Sequence, residues 1–116
     1  MREGLVMLKY LLLFMFSSYA LSHDQVFEGK YTYGNEVSIF QECNGEKVYW
    51  LEGSGFLISD VKALALKGDK PYTAIYLKFR GHEHFEEVDG FQADYDYQIH
   101  VSEVKEYDAK IPEICN

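Results

Sequence analysis

The chain has 116 residues, 47% of them hydrophobic and 16% aromatic, and its 19 acidic side chains against 11 basic ones give a formal net charge of −8. That length and apolar share suit one domain with its own core. The negative excess repels nucleic-acid phosphates and anionic lipid headgroups, so neither is an expected partner; cationic, neutral and metal-bearing partners stay open, as does plain solubility.

Residues 1–22 read as a secretory signal rather than as part of the fold. Arg2 and Lys9 give a positive start, the run from Tyr10 to Phe16 a short apolar core, and Ala20-Leu21-Ser22 the small residues that a signal peptidase reads. The apolar run falls well short of the roughly 20 residues that span a bilayer. Export with cleavage after Ser22 and no membrane insertion afterwards is the expectation, with an uncleaved N-terminal anchor as the competing reading. The residue after that point is His23, not a lipid-accepting cysteine, and losing Arg2, Glu3 and Lys9 (net +1) shifts the remainder to −9.

In residues 26–33, Val26, Glu28, Lys30 and Thr32 alternate with Phe27, Gly29, Tyr31 and Tyr33, the period of a strand with one aromatic face. Gly34-Asn35 marks a turn, Glu36 to Cys43 a second strand, and Asn44-Gly45 a turn into a third over Lys47 to Glu52. Gly53-Ser54-Gly55 ends this meander as a flexible turn. Leu57, Val61, Leu64 and Ala65 then share one helical face, with Ser59 placed to cap the helix and Gly68 to stop it.

After Lys70-Pro71 the strand period returns, with Thr73, Ile75, Leu77 and Phe79 facing one way and Tyr72, Ala74, Tyr76, Lys78 and Arg80 the other. Gly81 ends the apolar part, and the stretch HEHFEEVDGFQAD reads as a long loop. Tyr95 to Lys105 forms the last strand with Ile99 and Val101 inward, followed by an extended tail over Ile111 to Cys115. Three strands, a helix and two strands is the chain order of the OB fold, a small Greek-key barrel that hides most strand edges by closure. The predicted class is thus all-β with one short helix, a five-stranded OB-fold-like barrel in a single domain over residues 23–116.

Cys43 and Cys115 are the only cysteines. In an exported small domain two thiols are expected to pair, and a bond between these two would close a loop of about 70 residues and remove roughly 4 kcal/mol of unfolded-state freedom. Pairing between chains, a free thiol and metal ligation are the other readings. The last normally needs further Cys or His at short spacing, which neither cysteine has.

Gly29-x-Tyr31-x-Tyr33, Phe40-x-x-Cys43 followed by Asn44-Gly45-Glu46-Lys47, Pro71 leading the fourth strand into Gly81-His82, and the terminal cysteine together resemble the C-terminal OB-fold domain of NlpE, a family of outer-membrane lipoproteins linked to envelope stress and copper homeostasis. The resemblance covers most of residues 23–116. It implies an OB barrel, a disulfide between Cys43 and Cys115, and a location in a bacterial periplasm or envelope; it does not imply an enzyme. These residues include no counterpart of the family's lipid-bearing cysteine or of its Cys-x-x-Cys pair, so neither a copper role nor stress signalling carries over residue by residue.

Among residues with reactive chemistry, His82-Glu83-His84 stands out, with Glu86, Glu87 and Asp89 close behind. On extended backbone residues i and i+2 share a face, so His82 and His84, with Glu86, are candidate ligands for copper or zinc. Two nitrogens alone predict weak binding, with His100 the one other imidazole expected in the barrel; His23 at a new amino terminus is a further, incidental chelator. The alternative is a solvated turn. No Gly-x-Ser-x-Gly elbow and no phosphate-cradling glycine pattern is present, and Ser54 is assigned to a turn. A paired-carboxylate hydrolase stays open in so acidic a chain, yet a barrel of this size rarely encloses a deep cleft.

OB barrels bind through the face of strands two and three. The outward candidates there are Phe40 and Trp50, joined by Tyr72 and Tyr76 of the fourth strand, and their alternative role is to complete the core. The leading expectation is a non-catalytic envelope binding or accessory module, without a cofactor, that recognises a protein or glycan partner. The second is a small metal-binding protein using His82 and His84.

Overall fold

A computed structural model describes residues 24–84, 90, 95 and 97–115. The signal segment, the cleavage point, His23 and Glu86 lie outside the described residues. Strands β1 (Gln25–Gly34), β2 (Val37–Glu42) and β3 (Val48–Glu52) are followed by helix α1 (Gly55–Ala65), then by β4 (Ile75–His84) and β5 (Tyr97–Asp108). The strands close into one barrel in the order β1-β2-β3-β5-β4, with β4 returning to β1. Only the β3–β5 pairing is parallel. The architecture is a closed five-stranded barrel with one short helix, consistent with an OB-fold-like barrel.

Alternation along the strands places Phe27 and Tyr31 of β1, Phe40 of β2, Tyr49 and Leu51 of β3, Ile75, Leu77 and Phe79 of β4, and Ile99 and Val101 of β5 in one buried core. Phe79 stacks on Phe27 at 5.4 Å and meets Phe40 edge-on at 4.9 Å, so three strands share one aromatic cluster. Helix α1 adds Ile58, Val61 and Ala65 to the core, with Leu57 and Leu64 partly buried against it. The buried face is therefore centred on Ile58 rather than on Leu57.

The helix start differs from the expected one. Ser54, not Ser59, is the cap: it is extended and its hydroxyl accepts from the Leu57 amide at 3.2 Å, which satisfies an otherwise orphaned helix-start donor. Ser59 sits inside the first turns and donates to the Phe56 carbonyl. Gly68 does not stop the helix; the chain leaves it at Leu66 in right-handed geometry. The tail also departs from extension, because Glu113–Cys115 forms a 3-10 turn whose Cys115 amide bonds to the Pro112 carbonyl.

Cys43 and Cys115 stand at disulfide distance across 72 positions of sequence, and Cys115 is buried. The Cys43 amide also donates to the Glu28 carbonyl at 3.0 Å, so the clasp fastens the end of the chain where β2 leaves β1.

The largest correction concerns β4. The polar run after Gly81 was expected to be loop, yet β4 continues through Gly81, His82, Glu83 and His84, all paired with β5. Gly81 permits this: a Cβ there would collide with the His100 carbonyl, so only glycine lets the strands approach so closely. Beside it the ladder carries register shifts between Lys78 and Phe79 and between Arg80 and Gly81. At each, β5 contributes one extra residue, as in a β-bulge.

Candidate functional site

The outward face of β2, β3, β5 and β4 carries two cross-strand rows. Register places Ile39 beside Trp50, Trp50 beside Gln98, and Gln98 beside His84. The next row runs Glu52, His100, His82. Asp24, just before β1, extends it, because its carboxylate lies 3.2 Å from Nδ1 of His82. Aromatic, amide and imidazole groups thus occupy a continuous strip whose second row begins and ends in a carboxylate.

At one end of this strip lies an open cleft of about 650 Å³, lined by Tyr33, Glu36, Ser38, Trp50, Glu52, Lys62 and His100 among others. Trp50 is half-buried, its ring 5.7 Å from that of Tyr95. Lys62 reaches from α1 over the Tyr33 ring at 5.0 Å, a cation–π contact that ties helix to barrel at the cleft rim. Glu36 and Glu52 place two carboxylates on the same walls.

Buried hydrogen bonds tie the cleft floor to the core. Ser38 donates to the Leu51 carbonyl at 2.8 Å, which uses its single proton, so the Tyr31 hydroxyl donates to Ser38 at 2.9 Å. Burial pushes Tyr31 up to about 12. Tyr49 is raised as well, first by burial and then by its hydrogen bond to Glu83, and Tyr76 by burial and by its bond to Glu28. Each shift favours the neutral phenol.

The four aromatic residues expected to form one binding face do not come together. Phe40 is fully buried and belongs to the core, because Val37, Ile39 and Gln41 are the residues of β2 that turn outward. Tyr76 does face away from the core, yet it is only 4% exposed and its hydroxyl is held by Glu28 across the β1–β4 ladder. Tyr72 is half exposed but sits at the β1–β2 turn, where it donates to the Asn35 carbonyl and lines a separate recess with Leu66 and Pro71. Trp50 alone of the four lines the main cleft.

His82 and His84 share the outward face as expected of i and i+2 on extended backbone, although on a strand rather than a loop. Ring centroids lie 6.3 Å apart for His82 and His84, 5.6 Å for His82 and His100, and 6.2 Å for His84 and His100. As the rings stand, no group of three His, Cys, Asp or Glu among the described residues holds the geometry of a metal site. His100, Glu52, Asp24, Tyr33 and Lys62 are the residues the sequence reading did not assemble; their signal lies in strand register, which no periodicity reveals.

Comparison with protein-family models, with curated proteins and with solved structures finds no match for this chain. Among the described residues no helix is long and apolar enough to cross a membrane.

Proposed function

We propose that this chain is an exported envelope module that recognises a partner without performing catalysis, in the manner of the NlpE-like barrel it resembles. Its signal-like N-terminal segment and its cysteine pair, at disulfide distance in a small barrel, support export to an oxidising compartment such as the periplasm. The observation that carries the binding role is the cleft at Trp50, which lies where OB barrels hold ligands, on the face of the second and third strands. Tyr33 and Trp50 give apolar contact to a polypeptide or a sugar face, and Glu36 and Glu52 against the single Lys62 favour a neutral or cationic partner over an anionic one. A basic, extended polypeptide segment meets both conditions best; a neutral glycan meets the first.

Trp50 is the only tryptophan of the chain and lines the cleft, so its fluorescence reports on ligands bound there. Titration with basic peptides and with peptidoglycan fragments should give a saturable change for one class, weakened in Tyr33→Ala and Glu52→Gln. No saturable change with either class, or affinities untouched by both substitutions, would remove the cleft as the recognition site.

A further inference from the structure

Three of the four histidines of the chain meet on the outward β4–β5 ladder, and nothing in the barrel requires them there. His100 is exposed and His82 and His84 are only half-buried, so they add little to the core. No hydrogen bond engages the ring of His84 or His100 among the described residues. We propose that His82, His84 and His100 bind one divalent transition-metal ion of the zinc or copper class, with Asp24 as the outer partner that orients His82. The site shares His100 with the cleft lining, but it does not rest on the cleft's binding a polypeptide or glycan.

Imidazole nitrogen is a favoured donor for zinc, copper and nickel, and three histidines with one open position form an established zinc coordination set. Here a His-x-His pair on one strand faces a third histidine directly opposite on the next. The two strands are held by a continuous backbone ladder, so the ligand-bearing backbone is fixed before any ion arrives. With Zn–N bonds of about 2.0–2.1 Å and tetrahedral angles, three ligand rings have centroids about 5 Å apart. The present spacings of 5.6–6.3 Å are wider by about 0.6–1.3 Å, so binding requires the three rings to rotate about their side-chain torsions toward one ion.

The carboxylate of Asp24 completes the argument. A metal-bound histidine ordinarily donates its other ring N–H to a carboxylate or carbonyl, which fixes the tautomer and raises ligand basicity. His82 Nδ1 lies 3.2 Å from Asp24 Oδ1, so with the proton on Nδ1 the Nε2 lone pair is left for an ion. Glu52, beside His100 in the same row, supplies a second nearby negative charge on the cleft side.

Calorimetric titration of the full chain with Zn²⁺ in a non-coordinating buffer, and Cu²⁺ quenching of Trp50, test the site. Trp50 stands two strands from His84, about 10 Å at the usual strand spacing, within reach of quenching by a bound Cu²⁺. One ion per chain is expected. His100→Gln should weaken Zn²⁺ binding by at least about tenfold, since loss of a mere outer partner costs about 10–100-fold, and Asp24→Asn should weaken it less. His23→Gln should leave it unchanged. Thermal melts of the apo variants confirm that the fold is retained. Absence of one-to-one binding, binding unaltered in His100→Gln, or binding lost in His23→Gln would each overturn the proposal.

Discussion

The inner and outer faces of the same strands obey different rules. Inside, each polar group has an assigned partner: Tyr31 donates to Ser38, Ser38 to the Leu51 carbonyl, and among the described residues no buried side-chain nitrogen or oxygen lacks a hydrogen bond. Outside, along the Trp50 and His100 rows, aromatic and imidazole groups stand partly exposed with few bonds of their own. The inner face uses chemistry to hold the barrel closed, whereas the outer face keeps it available. Stability and recognition should therefore be separable by mutation, even between neighbouring positions of one strand.

Phe79→Ala should break the inner face most severely. It removes the ring that joins Phe27 and Phe40 and should lower unfolding free energy by about 3–5 kcal/mol in denaturant titrations. Replacing both Cys43 and Cys115 by serine should follow at about 4 kcal/mol, with tail amides near Cys115 the first to gain hydrogen exchange. An unchanged denaturant midpoint would remove the structural clasp.

Alkaline pH probes the inner face without mutation. The Tyr31 pKa is raised from 10.0 to about 12 in the folded chain, so between those values the unfolded state releases a proton that the folded state keeps. Its contribution is intact below about pH 10 and lost as pH rises through about 12, roughly 2–3 kcal/mol for this residue. Tyr49 and Tyr76, raised for the same first cause, push in the same direction. Denaturant midpoints that stay level across that range would show that Tyr31 is not sealed from water.

The smallest stability effects belong to the outer face. His84→Gln and His100→Gln should change stability by no more than about 0.5 kcal/mol, because their rings carry no bond that holds the fold. A larger loss would collapse the distinction between the two faces.

The barrel itself was legible in the sequence because its signals are local. Alternation in residues 26–33 and 75–79, the Asn44-Gly45 turn and the change to helical period after Gly55 each follow from side-chain direction along the chain, and the order of elements along the chain followed from them. The His82-Glu83-His84 run after Gly81 was misread as loop for the complementary reason. Its residues are polar on the side that water reaches, and a glycine within a strand looks like an ending unless the approaching backbone of His100 is known. Phe40 was misassigned because one side chain of a short strand can be turned either way by a shift of one position.

The imidazole group was beyond local reading. Had the ladder kept the register of Phe79 with Val104 and Arg80 with Glu103, His82 would face Val101; the extra residue at Ser102 slides β5 by one and sets His100 there instead. Composition and periodicity thus determined an acidic chain, a barrel and its core. Only the tertiary structure decided which side chains meet on its surface, because register is fixed by long-range pairing and by close backbone approaches such as that of Gly81 to His100.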